Sequence, residues 1–284
     1  MIEKDDSLIP ISKVEIEPFT GAVIISKGIN YKNLEIYVGE NESDFLVNNK
    51  IANNSHVVFK IIQPKGFRKN KENDILFGLE FEIREEDKLL QKLEDPYKNK
   101  FMGINAELLK YLKFTISLDD LKENKDYQLW LRIFDKQSNA EITINLPFVT
   151  KPTTRISDFI KYSFGVLGQD IVSKNVGEIE IQRIEWRQAQ EVVSKLRAAQ
   201  PFDLWLEKVK KFQGRAQAQY AWINAANCER VIEKNIDIEK NEDNIRLSNL
   251  IAPQEAGRYI FWFKFEQEAP KYQNYAFTSE INVE

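Results

Sequence analysis

His56 is the sole histidine of the chain and stands just ahead of the apolar run Val57–Ile62. A histidine base needs a nucleophile and an orienting carboxylate around it. No neighbouring spacing supplies them, so the residue reads as a strand-end histidine. Cys228 is the only cysteine, which excludes an intrachain disulfide. A cysteine nucleophile takes a paired histidine, and here the two lie in different halves of the chain; a structural thiol is the expectation. Acid pairs occur at Asp119-Asp120, Glu85-Glu86-Asp87 and Glu242-Asp243. Glycoside hydrolysis needs two carboxyls at a fixed separation across a cleft, whereas these clusters fall in predicted turns. Gly165-Val166-Leu167-Gly168 is too short and too apolar to cradle a phosphate, and Asn241-Glu242-Asp243-Asn244 has oxygen ligands without calcium-loop spacing. Asn41-Glu42-Ser43 and Asn53-Asn54-Ser55 fit the glycosylation sequon, a match that an asparagine-rich chain gives by chance. Two basic loops, Lys65/Arg68/Lys69/Lys71 and Lys208/Lys210/Lys211/Arg215, read as solvated. The expectation is a chain without catalytic, cofactor-binding or metal-binding residues.

The residues chosen instead are aromatic and cationic. Trp130 and Arg132 alternate with Leu129, Leu131 and Ile133; Trp262 and Lys264 alternate with Phe261, Phe263 and Phe265. Successive strand residues point to opposite faces. With the apolar sets inward, each Trp–cation pair is expected on an outer sheet surface. Trp and Arg are enriched among interface anchors, so Trp130, Arg132, Trp262 and Lys264 are the interface candidates.

The elements that must position these pairs form a repeat. Tyr127-Gln128-Leu129-Trp130-Leu131-Arg132-Ile133 and Tyr259-Ile260-Phe261-Trp262-Phe263-Lys264-Phe265 lie 132 residues apart, with Tyr, Trp and cation in matching places. Large aromatic and aliphatic residues in strict alternation predict a half-buried strand. Each copy follows an earlier strand pattern and a polar corner: Phe114–Leu118 before Lys122-Glu123-Asn124-Lys125, and Ile245–Leu250 before Pro253–Gly257. Glu255-Ala256-Gly257-Arg258-Tyr259-Ile260-Phe261 resembles the Asp-x-Gly-x-Tyr-x-Cys signature of the immunoglobulin superfamily, with Phe261 in place of the second cysteine. The resemblance implies disulfide-free immunoglobulin-like or fibronectin-III-like β-sandwiches. It also implies that the tyrosine hydroxyl bonds back to the corner backbone.

The fold expectation is therefore mainly β, with two tandem immunoglobulin-like sandwiches. The first covers 1–149, with about eight strands between Ile9 and Val149 and a helical turn or two near Asn105–Leu112. A polar, proline-bearing linker covers 150–154. The second covers 155–284 and carries a helical insert near 186–213. There Trp186, Ala189, Val192, Val193, Leu196 and Ala199, then Phe202, Trp205, Leu206, Val209 and Phe212, fall at helical spacing. Phe202, Leu204 and Leu206 also alternate as a strand would.

The chain has 284 residues, 43% hydrophobic and 30% charged, enough for two buried cores. A net charge of −4 argues against a dedicated nucleic-acid binder. No apolar run reaches the roughly 20 residues of a membrane span. The opening Met1-Ile2-Glu3-Lys4-Asp5-Asp6 lacks signal-peptide character. As written the chain is expected in the cytoplasm, or in the periplasm or outside the cell if a leader has been removed. The functional expectation is a non-enzymatic adaptor with protein partners in a homo- or hetero-oligomeric assembly, such as a bacterial secretion or injection machine. A carbohydrate-binding module and a carboxylate-dependent hydrolase are the alternatives.

Overall fold

A computed structural model describes residues 12–39, 45–96, 98, 103–151, 160–164, 171–176, 179, 181–207, 209, 215–239, 244–267 and 273–284. The chain divides into two compact units, Met1–Ser157 and Asp158–Glu284. Among the described residues the regular structure is all β and forms several antiparallel sheets.

The first unit contains β1 (Ser12–Ile16), β2 (Val23–Lys27), β3 (Asn33–Val38), β4 (Lys50–Ile51), β5 (His56–Ile62), β6 (Asp74–Ile75), β7 (Phe77–Glu85), β8 (Lys88–Leu93), β9 (Ile104–Asn105), β10 (Tyr111–Ser117), β11 (Asp126–Asp135) and β12 (Glu141–Thr150). Its larger sheet runs β1-β2-β12-β11-β7-β8, with β4 parallel to the end of β12. A second sheet runs β10-β5-β3, and β6 pairs with β9. Strand β12 alternates half-buried and buried residues along its whole length, as expected of a strand with one face on a core. Leu129, Leu131 and Ile144 of the larger sheet share one apolar cluster with Phe59, Ile61 and Phe114 of the smaller. Two layers thus enclose one core.

The second unit contains β13 (Ile160–Phe164), β14 (Ile171–Val176), β15 (Arg183–Gln188), β16 (Glu191–Val192), β17 (Lys195–Leu196), β18 (Pro201–Glu207), β19 (Arg215–Asn224), β20 (Arg230–Glu239), β21 (Ile245–Ile251), β22 (Gly257–Gln267) and β23 (Gln273–Val283). Its larger sheet runs β13-β14-β23-β22-β19-β20, with β17 parallel to the end of β23. The smaller runs β16-β15-β18-β21. Strand for strand, the larger sheet repeats the order of the first unit's larger sheet; the smaller sheet has four strands against three, and the β6–β9 pair has no counterpart among the described residues. Repeated strand β11 has β22 as its counterpart, β12 has β23, and β7 has β19. A β-bulge recurs too: the β7–β8 register shifts after Ile83, the β19–β20 register after Trp222. Ile83 lies opposite Leu129, and Trp222 opposite Phe261. Bulges are specific, retained features of a sheet, so this match extends the repeat from seven residues to the whole of the larger sheet.

Three expectations are corrected. The segment near 186–213 holds no helix among its described residues; it is β15, β16, β17 and β18. Helical spacing arose there because positive-φ residues reset a period-two pattern: Ala189 (φ 50°) and Gln190 (φ 71°) turn the β15–β16 hairpin, and Ala199 (φ 57°) precedes β18. Residues 208 and 210–213 lie outside the described set. Asn105–Leu112 forms no helical turn; it leaves β9 and enters β10 through a turn that the Asn105 side chain organises by accepting from the Glu107 amide at 3.0 Å. Thr150, expected to open the linker, instead closes β12, where it is fully buried and its hydroxyl accepts from the Lys125 amide at 3.1 Å.

Candidate interaction faces

The strand β11 sets Trp130 between Glu82 of β7 and Asn145 of β12, and Arg132 between Glu80 and Thr143. Both side chains are half-buried on the outer face. Arg132 is held by its surroundings. Its Nε donates to Glu141 at 2.8 Å and its Nη1 to Glu80 at 3.1 Å, and the guanidinium lies 4.6 Å from the centre of the Phe134 ring. That ring sits over Gly78, where a Cβ would come within 2.2 Å of it. Partial burial alone would lower the Arg132 pKa; hydrogen bonds and charge from Glu141 and Glu80 outweigh it and raise the value.

The second copy is placed differently from expectation. Trp262 is 2% exposed and Lys264 6%. The outer face of their strand is itself buried, since Ile260 on β22 and Asn274, Ala276 and Thr278 on β23 are shielded as well. Lys264 Nζ lies 5.9 Å from the Trp262 ring centre, the Arg230 guanidinium 5.7 Å from it, and Glu266 4.0 Å from Lys264. A buried ammonium needs such compensation. The two Trp–cation pairs occupy equivalent strand positions but do not present equivalent surfaces.

Sequence reasoning missed a third aromatic–cation arrangement. On the outer face of the β15-β18-β21 layer, Trp205 lies between two guanidiniums, Arg187 at 4.1 Å and Arg246 at 5.2 Å from its ring centre. Each cation has a carboxylate. Glu185 meets Arg183 and Arg187 at 2.5 Å, Glu207 lies 3.7 Å from Arg187 and 3.9 Å from Arg183, and Asp203 meets Arg246 at 2.7 Å. The signal was present in the alternations Arg183-x-Glu185-x-Arg187 and Asp203-x-Trp205-x-Glu207, which a helical reading scatters around a cylinder.

The residues weighed for catalysis are not brought together. His56 begins β5 opposite Ser117, and its carbonyl accepts from the Gly39 amide at 2.8 Å. Cys228 sits at φ 64° in the β19–β20 turn, where burial pushes its thiol pKa up, away from the reactive thiolate. Asp119 and Asp120 are exposed in the turn after β10; Glu85 closes β7 and pairs with Lys125 at 3.5 Å. Residues 40–44, 165–170, 208, 210–214 and 240–243 are outside the described set, and with them the first sequon, the glycine pair, Glu242-Asp243 and three lysines of the second basic loop. Among the described residues no group of three His, Cys, Asp or Glu side chains is placed to hold a metal ion. No helix among them is long and apolar enough to cross a membrane.

The described residues define an all-β protein of layered antiparallel sheets. No protein-family model matches the chain, and no curated protein matches it. Among solved structures, the chain is similar to Escherichia coli alpha-2-macroglobulin activated by porcine elastase, at 10% identity and a TM-score of 0.25, over 92% of this chain and 26% of that one. The chain thus spans about a quarter of the length of that protein's chain.

Proposed function

We propose that the chain is a non-enzymatic adaptor built from two immunoglobulin-like or fibronectin-III-like sandwiches, and that it is a subunit of a larger bacterial assembly such as a secretion or injection machine. The sandwich reading is supported by the strand order that both units share. In each, a short strand runs parallel to the last strand at one edge, and the repeated strand lies next to that last strand. It is supported further by the corner tyrosines. Tyr259 donates its hydroxyl proton to the Glu255 carbonyl at 3.1 Å, and the Tyr127 hydroxyl accepts from the Lys122 amide at 3.0 Å.

The observation that carries the adaptor reading is the disposition of side chains on the sheets. Aromatic and charged residues stand on outer faces, as in Trp130–Arg132 and the Trp205 ladder, while the titratable residues weighed for chemistry are, among the described residues, dispersed through turns and strand ends. The carbohydrate alternative needs an exposed, planar row of aromatics. Trp262 at 2% exposure and Trp205 between two guanidiniums do not offer one.

Affinity purification of the tagged chain from its native host after mild cross-linking tests the reading. A complex of fixed stoichiometry, measured by light scattering on a sizing column, is expected. A chain that elutes alone at every concentration, or that turns over a glycoside substrate, would overturn it.

A further inference from the structure

We propose that one end of the β3-β5-β10 layer in the first unit is a docking surface for an acidic polypeptide segment. Backbone hydrogen bonds gather three lysines there. The Lys32 amide donates to the Ile62 carbonyl at 2.9 Å, the Gln63 amide donates to the Lys110 carbonyl at 2.8 Å, and Asn30 and Lys65 exchange a pair of backbone bonds at 2.8 and 2.7 Å. Lys32, Lys65 and Lys110 are all exposed. The chain leaving Lys65 adds Arg68, Lys69 and Lys71, also exposed. None of the six forms an ion pair with a described residue. The acids nearest in sequence are Glu35, Glu72, Asp74 and Glu107, and none of them forms an ion pair with these cations; Glu35 accepts from the Tyr37 hydroxyl and, at 3.4 Å, from the Asn33 amide group, Glu72 from the Asn70 amide group at 3.1 Å, and Glu107 from that of Asn73 at 3.4 Å.

Two apolar groups stand beside these cations. Tyr111 is 49% exposed, lies opposite Ile62 in register, and has Lys60 Nζ 5.0 Å from its ring centre. Leu108, at 74%, has the highest exposure among the exposed large apolar side chains described, and its carbonyl accepts from the Lys110 amide at 2.9 Å. Cations flanking an exposed leucine and tyrosine fit a segment with both carboxylates and apolar side chains. They fit a polyphosphate chain less well, because its repeating unit carries no apolar side chain to cover Leu108 and Tyr111.

The second unit provides the contrast. At the same end of its smaller sheet, Arg183 opens β15 and Glu207 closes β18, and they lie 3.9 Å apart, with Glu185 at 2.5 Å from Arg183. Among the described residues of that end, the one strand-end cation, Arg183, is met by the unit's own carboxylates. The first unit leaves the corresponding charge unpaired at Lys32, Lys65 and Lys110. Clustered like charges oppose folding, and a partner that supplies carboxylates removes the repulsion.

This assignment deepens the adaptor reading and rests on it, but the two fail by separate measurements. The test uses the full chain and a fluorescein-labelled peptide of alternating glutamate and leucine, followed by anisotropy at low salt. K32E/K65E/K110E is expected to weaken binding about tenfold or more. K88E/K122E/K234E, which changes net charge equally at exposed positions elsewhere, is expected to weaken it less than twofold. Melting curves of both variants confirm that each is folded. The surface assignment is overturned if the parent chain does not bind the peptide, if both triple variants lose equally, or if single-stranded RNA binds the parent more tightly than the peptide does. A native complex that survives K32E/K65E/K110E unchanged overturns this surface and leaves the adaptor reading standing.

Discussion

At the scale of single residues, the two corner tyrosines perform one task with different geometry. Tyr259 reaches back four residues and donates to the Glu255 carbonyl at 3.1 Å, while Tyr127 receives the Lys122 amide at 3.0 Å and points its own proton at the Lys122 carbonyl 3.4 Å away. Both rings are buried, so the hydroxyl is the only part that must find a polar partner. Removing it leaves a backbone group at the corner without its bond. Tyr259→Phe is expected to lower the unfolding free energy by about 1 kcal/mol, read as a shift in urea midpoint at constant m-value. Tyr127→Phe should cost at least as much, because it orphans an N–H donor as well as a long acceptor contact. A null effect for both would remove the corner hydrogen bonds from the account of how these strands are anchored.

At the scale of elements, the legible strands were those with one clean face. β11, β12 and β22 could be read from alternation alone because apolar residues line one side without interruption. The β8 strand was invisible: Lys88-Leu89-Leu90-Gln91-Lys92-Leu93 shows no period-two pattern, and its side chains are all exposed or half-buried at a sheet edge. β15 to β18 were misread because turns at Ala189-Gln190 and Ala199 shift the phase of the alternation. Of the site, the outward direction of Trp130 and Arg132 was legible. The burial of Trp262 was not, because alternation reports which face a side chain takes and is silent about what covers that face. Pro147 shows how finely an edge is built. The Val149 amide donates to the Asn49 carbonyl at 2.9 Å, so alternate amides from 145 onward point to the edge that β2 and β4 share. β2 pairs as far as Asn145 and β4 begins at Val149, so the position with no N–H falls in the gap between them. In the second unit, among the described residues, the equivalent gap lies between Ser279, the last described partner of β14, and Asn282, the first of β17. Glu280→Pro is therefore expected to change stability by no more than about 1 kcal/mol. Thr278→Pro, opposite Val172 in the ladder, should unfold the second unit or strongly depress its melting temperature. Equal damage from the two substitutions would contradict the repeated edge.

At the scale of the whole molecule, one strand plan carries two different cores. Positions filled by Leu129, Leu131, Ile133 and Ile83 in the first unit correspond to Phe261, Phe263, Phe265 and Trp222 in the second. The aromatic core is organised around Phe261, whose ring centre lies 4.8 Å from that of Trp222, 5.9 Å from Tyr220 and Phe277, and 6.2 Å from Phe202. Close packing ties each of these rings to its neighbours, so neither core can accept the other's side chains singly. The divergence has a practical consequence, because four of the five tryptophans, 186, 205, 222 and 262, lie in the second unit. Tryptophan fluorescence therefore reports mainly on that unit, whereas far-UV circular dichroism reports on both. Phe261→Ala opens a cavity at the centre of the aromatic cluster and is expected to destabilise the second unit by about 3–5 kcal/mol, moving the fluorescence midpoint sharply. Leu129→Ala, at the matching position of the aliphatic core, should cost about 2–5 kcal/mol and lower the dichroism transition while leaving most of the fluorescence change in place. If Leu129→Ala displaces the fluorescence midpoint as far as Phe261→Ala does, the two cores are not separate cooperative bodies, and the repeated strand plan describes one folding unit.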